Sequence, residues 1–173
     1  MIDLPAAELR AALTAALSIT RWVDDVAAAA PYSSLDELLA VASAAATPLS
    51  PAEIDEAMAH HPRIGDKPVG EGAAQSFSRS EQASADADDA ELAASLARGN
   101  ADYEERFDRV FLIRAAGRSR AEILAELRRR IQLDDATELA IVGEQLRDIA
   151  LLRLEKTFAS TVPSVPTDPP ERA

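Results

Sequence analysis

Apolar residues recur at intervals of three and four through almost the whole chain, the period of a helix face and not of a strand. Pro5 to Leu17 carries Leu9, Leu13 and Leu17 on one stripe, and Thr20 to Ala29 offers Trp22, Val23 and Val26 before Pro31. Ser34-Leu35-Asp36-Glu37 reads as a capping box and opens a helix with Leu35, Leu38, Leu39 and Ala42 inward. Ser50-Pro51-Ala52-Glu53 joins an N-cap serine to a proline at the first helical position and a glutamate at the third. Asp66 to Gln75 reads as a loop through Pro68, Gly70 and Gly72, and a helix begins near Ser78. Asp88 or Asp89 caps a helix reaching about Phe107, with Leu92, Leu96 and Tyr103 as its core residues. A turn at Gly117 precedes an amphipathic segment from Arg120 to Ile131, with Ile123, Leu124 and Leu127 inward. The longest helix runs from about Asp135 to Phe158, and only Val110-Phe111-Leu112-Ile113 looks like a strand. The expectation is an all-α fold, one compact helical-bundle domain of about eight or more helices over residues 1–160. A Pro-rich tail over 161–173, with Pro163, Pro166, Pro169 and Pro170, is expected to be disordered.

Charge and composition remove several classes of function. The chain has 173 residues, enough for one domain with a substantial core. Its 18 Lys+Arg against 30 Asp+Glu leave a formal net charge of -12, a surface that repels phosphate backbones and anionic membranes. With no cysteine there is no disulfide, no thiolate-bound zinc and no thiol nucleophile. No apolar run approaches the ~18 residues of a membrane span, and Met1-Ile2-Asp3-Leu4-Pro5 lacks a signal-peptide pattern. The expectation is a cytoplasmic protein without nucleic-acid or membrane partners. There is no Gly-rich phosphate loop and no internal repeat.

Three features break the bland helical pattern. The chain's two histidines are adjacent, His60 and His61, so they cannot form the His-x-x-x-His zinc pair, and no metal is expected. His61 continues the stripe of Ile54 and Met58, whereas His60 lies about 100° away. Pro62 biases its predecessor out of helical dihedrals, placing His61 at or just past a helix C-terminus. Histidine titrates near neutral pH and suits proton transfer, although a core or capping role explains the position equally well. Next, Ser78, Glu81 and Gln82 share a helix face, a row of hydroxyl, carboxylate and amide suited to a polar planar ligand. On spacing alone Ser-x-x-Glu is more often a capping box. Finally, Leu139, Val142, Leu146 and Ile149 predict an apolar residue at 153, where the chain has arginine. A guanidinium there must snorkel out or find an anion, and arginine is the preferred residue for bidentate carboxylate recognition. A histidine, a carboxylate able to orient it and an inward arginine describe a metal-free site that processes a small acid.

These motifs resemble the 2-oxo-4-hydroxy-4-carboxy-5-ureidoimidazoline (OHCU) decarboxylase family. His61-Pro62-Arg63-Ile64-Gly65-Asp66-Lys67 and Ser78-x-x-Glu81-Gln82 carry the resemblance first. Asn100-x-x-Tyr103-Glu104-x-Arg106-Phe107, the run Val110 to Arg118, Arg130-Ile131, Glu138-Leu139 and Arg153-Leu154-Glu155-Lys156 follow in order. The resemblance covers roughly Leu9 to Phe158. It implies an all-helical, cofactor-free homodimer that forms (S)-allantoin in urate breakdown. It further implies His61 and Glu81 as catalytic residues. Pro62, Ser78, Arg79, Ser80, Glu81, Gln82, Ile113, Arg114, Ala115, Ala116, Gly117 and Arg153 match the substrate-contacting positions. Two residues depart from the pattern: Asp108 stands where glycine tends to follow phenylalanine, and Arg114 where a small residue or cysteine is common. The ending Glu171-Arg172-Ala173 lacks a Ser-Lys-Leu-type peroxisomal address, consistent with the cytoplasm. The rival reading is a non-catalytic helical interaction module that kept the fold.

Overall fold

The computed structural model describes residues 2, 4–59, 61, 64, 76–77 and 89–159. They hold seven helices: α1 (Ala6–Ala16), α2 (Thr20–Ala28), α3 (Leu35–Ala45), α4 (Pro51–Met58), α5 (Ala90–Phe107), α6 (Arg120–Arg130) and α7 (Asp135–Ala159). The count among the described residues is therefore seven, against the eight or more expected. Ser76 and Phe77 are helical, just before the helix expected near Ser78; the residues from Ser78 on and the Pro-rich tail lie outside the described residues.

Helix starts follow local chemistry. Ser50 accepts from the Glu53 N–H, and the Glu53 carboxylate returns to the Ser50 N–H at 2.7 Å, completing the expected box. Ser34 caps α3, but Glu37 reaches one residue further back, to the N–H and hydroxyl of Ser33, so that box is only half formed. Of the two candidate caps for α5 it is Asp89 that accepts, from the Leu92 N–H at 2.9 Å. α5 ends at Asp108 with φ 53, the left-handed region where a side chain is strained and glycine is not.

Two apolar clusters result. The first joins α1, α2, α3, α4 and α7 through Leu13, Trp22, Leu38, Ile54, Leu146 and Leu154. The second joins α5 and α6 through Leu96, Tyr103, Phe107 and Leu127. Where α5 crosses α6, a methyl added at Gly99 would lie 2.8 Å from Leu127 Cδ2, so the Leu127 side chain would have to shift. The segment expected to be a strand runs between the clusters. It belongs to no sheet, and β structure among the described residues is one antiparallel bridge, Ile2 to Tyr32. Its side chains nevertheless alternate like a strand's: Leu112 enters the first cluster, while Phe111, Ile113 and Ala115 enter the second. The sequence pattern there reports burial on both faces, not a ladder.

At the join sits a buried charge network. Arg130 and Glu138 are both 0% exposed. Arg130 Nε donates to both Glu138 carboxylate oxygens at 3.0 Å, and its Nη2 donates to Oε1. Arg130 Nη1 donates to the Leu112 carbonyl at 2.8 Å, and the Tyr103 hydroxyl donates to Glu138 at 2.5 Å. Burial and then the Glu138 carboxylate push the Tyr103 phenol up, so it stays a donor.

Breaking such a pair by removing one partner is expected to cost about 3–5 kcal/mol, because the other charge stays buried and unpaired. Arg130→Met should fall in that range by denaturant unfolding, and Arg130→Met with Glu138→Leu should recover most of it. A second expectation concerns acid. Arg21, and secondarily Ser50, hold the Glu53 carboxyl at about 2 instead of 4.5. The folded value lies below the unfolded one, so this contribution is complete above pH 4.5 and is lost as pH falls towards 2. Melting temperatures of wild type and Glu53→Gln should converge across that window.

Candidate active site

α4 delivers the histidine. Its helical hydrogen bonding ends at Met58, and the His61 N–H closes one further turn onto the Met58 carbonyl at 3.1 Å. The expected stripe therefore reaches Met58, and His61 sits half-buried beyond the helix, in keeping with the proline that follows it. Three residues on, Ile64 is buried in the second apolar cluster with Ile113 and Ala115. Its carbonyl accepts from Asn100 Nδ2 at 2.9 Å. The histidine segment and the 113–115 segment thus meet in one cluster.

Within the second segment Ile113 and Ala115 are buried, Arg114 and Ala116 are half-buried, and Gly117 is exposed. Gly117 has φ 80, the turn the sequence predicted there. The Arg114 N–H donates to Gln145 Oε1 at 2.9 Å, which ties the segment to α7.

α7 also carries Arg153, only 4% exposed, so it does not snorkel. Its Nη1 donates to the carbonyl of Ala16, the last residue of α1, at 3.3 Å. Its guanidinium carbon stands 5.7 Å from the centre of the Phe77 ring. Arg153 is therefore placed both at a helix C-terminus, where positive charge is stabilised, and beside the residue that precedes Ser78. Pro62, Ser78, Arg79, Ser80, Glu81 and Gln82 lie outside the described residues. Cavities of about 350 and 520 Å³ lie beside Leu49 and Gly143 and beside Leu4 and Arg10, and neither is lined by His61 or Arg153. Among the described residues no group of three or more His, Cys, Asp or Glu could hold a metal ion. No described helix is long and apolar enough to cross a membrane.

Sequence reasoning missed two side chains that shape these segments, Asn100 as a tether and Gln145 altogether. A polar residue interrupting the apolar spacing of α5 was the available signal for Asn100. Gln145 gives no such signal, because it lies between Glu144 and Leu146 on a face that is only half-buried.

The comparisons with known proteins agree. The family model for OHCU decarboxylase matches residues 3–155. A 2-oxo-4-hydroxy-4-carboxy-5-ureidoimidazoline decarboxylase of Haloferax volcanii is 30% identical over 142 residues, covering 80% of this chain and 82% of that protein. The uric acid degradation bifunctional protein TTL of Arabidopsis thaliana is 35% identical over 108 residues, 60% of this chain but only 33% of that protein. Among solved structures, a crystal structure of OHCU decarboxylase in the presence of (S)-allantoin superposes with a TM-score of 0.72. That match has 24% identity and covers 86% of this chain and 98% of the other. A structure of (S)-allantoin synthase gives 0.62 at 17% identity, over 88% of this chain and 50% of the other. At these identities the two structures establish the fold, and the family rests on the sequence matches over nearly the whole length. The chain belongs to the OHCU decarboxylase family.

Proposed function

We propose that this protein decarboxylates 2-oxo-4-hydroxy-4-carboxy-5-ureidoimidazoline to (S)-allantoin in urate breakdown, as a cytoplasmic homodimer. The family match over residues 3–155 carries the reading, and the buried Arg153 supports it as a cation suited to an anionic substrate.

The chemistry requires little beyond placement. The carbon that loses CO2 adjoins a C=N, which accepts the electron pair released from the C–C bond. The carbon bearing the ureido group then takes a proton, while the neighbouring hydroxyl becomes a carbonyl. His61 serves as the general acid for that proton, and Glu81 holds the imidazole's orientation and ionisation. Arg153 fixes the anionic part of the substrate through its planar fork. Gln82 and the backbone of Ile113 to Gly117 hydrogen-bond ring and ureido groups. Pro62, Ser78, Arg79 and Ser80 are further substrate contacts in this proposal.

The spontaneous reaction yields racemic product because water protonates either face, whereas one fixed imidazole protonates one. Circular dichroism during turnover, with spontaneous decay subtracted, is expected to show a single enantiomer for the wild type. His61→Ala should drift towards racemic, and His61→Gln should lose orders of magnitude in turnover while His60→Gln stays within about three-fold. Racemic wild-type product would overturn the assignment and restore the interaction-module reading.

Arg153→Lys is expected to raise KM by about ten-fold, since an ammonium cannot reproduce a bidentate contact. An unchanged KM would assign Arg153 to the α1 terminus alone.

A further inference from the structure

The histidine segment and the 113–117 segment are irregular backbone, and each depends on one carboxamide from a helix. On the histidine side, Asn100 is 6% exposed and its Nδ2 holds the Ile64 carbonyl. Its Oδ1 is buried with no hydrogen-bond partner among the described residues. One amide–carbonyl bond contributes only about 1 kcal/mol net, so Asn100 brings little net stability to the fold. What it does bring is the position of a backbone carbonyl three residues from His61.

On the other side, the alternation of Leu112, Ile113 and Arg114 between clusters describes an extended chain. In such a chain the carbonyl of residue 112 and the N–H of residue 114 share an edge. That edge is taken up by Arg130 Nη1 at 2.8 Å and Gln145 Oε1 at 2.9 Å. The opposite edge carries the N–H and carbonyl of Ile113, which is 3% exposed. Among the described residues nothing hydrogen-bonds those two groups. The function proposed above has this backbone hydrogen-bond the ureido group, so the placement of that edge bears on substrate recognition. Gln145 lies eight residues before Arg153 on the same helix, about 12 Å along its axis. It therefore registers that edge against the anion-binding guanidinium.

We propose that Asn100 and Gln145 are positioning residues for the decarboxylation, Asn100 acting through the His61 segment and Gln145 through the Ile113 edge. The inference rests on the function proposed above. It separates the two residues kinetically, because misplacing a proton donor lowers kcat and misplacing a recognition edge raises KM.

The experiment is steady-state kinetics, product chirality and thermal melting on full-length Asn100→Leu, Gln145→Met and Gln145→Glu with freshly generated substrate. Asn100→Leu is expected to lower kcat by about 10- to 100-fold, leave KM near wild type and yield partly racemic product. Gln145→Met is expected to raise KM by about ten-fold with a smaller change in kcat. Gln145→Glu keeps an acceptor for the Arg114 N–H, so its KM should stay within about three-fold of wild type. Melting temperatures of all three should stay within about 4 °C. Wild-type kinetics in both Asn100→Leu and Gln145→Met would overturn the proposal. So would activity losses matched by losses in melting temperature, or Gln145→Glu as impaired as Gln145→Met. If Asn100→Leu does not fold, Asn100 is structural and the proposal fails for it, while the half-buried Gln145 pair still tests the Ile113 edge. A wild type that does not turn over the substrate would overturn the assigned function instead.

Discussion

The Arg130–Glu138 pair is the interaction on which the two halves of this protein depend. Both groups are fully buried, and a guanidinium and a carboxylate in that setting are tolerable only while every lone pair and proton has a use. Here the carboxylate takes the Tyr103 hydroxyl from α5, and the guanidinium takes the Leu112 carbonyl between the clusters. The Arg130 guanidinium also lies 4.8 Å from the centre of the Phe111 ring. Three helices and the inter-cluster segment therefore meet at one electrostatic knot, and none can shift without stranding a charge. Apolar packing alone would let α5 and α6 slide against α7, because cores tolerate repacking before they lose stability.

That constraint explains why some of the fold was legible in the sequence and some was not. Helix starts are local: Ser50 with Glu53 and Asp89 with Leu92 act within one turn, and such short-range chemistry is written into adjacent residues. Stripes are nearly as local, and Leu9 with Leu13, Trp22 with Val26, and Leu146 with Ile149 are buried as their spacing demanded. Arg130 and Glu138 are different. Nothing in the spacing of either marks it as buried, and only the pairing of α6 with the start of α7 turns them inward. The Val110 to Ile113 run misled for a related reason, since β-branched and aromatic residues satisfy any two-sided burial, with or without a neighbouring strand.

The candidate site shows the same division. Arg153 was legible because it contradicts its own stripe, and a contradiction within one helix needs no tertiary knowledge. His61 was legible from its neighbours, a stripe ending at Met58 and a proline immediately after. Asn100 and Gln145 were not, because their roles are defined by backbone atoms 36 and 31 residues away. Carboxamides on a mixed helix face look alike whether they meet water or a distant carbonyl.

Arg153 also shows how a fold and a site can share one charge. α1 has no basic residue in its last turn, so no charged side chain of the helix itself offsets the partial negative charge of its terminal carbonyls. Arg153 supplies that compensation from α7 through Ala16, and this contact helps keep a guanidinium in a buried position before any substrate arrives. A guanidinium has five donors in a rigid fork, so a contact to one carbonyl orients the plane of the whole group. The side chain loses its rotamer freedom on folding, and in the substrate role proposed for it that lowers the entropy binding must overcome. A lysine at the same position could stabilise the helix terminus as a point charge, but it would present no second face to an anion. The stripe thus favours arginine over lysine on geometric grounds, and the same geometry makes the residue useful to an acid-processing site.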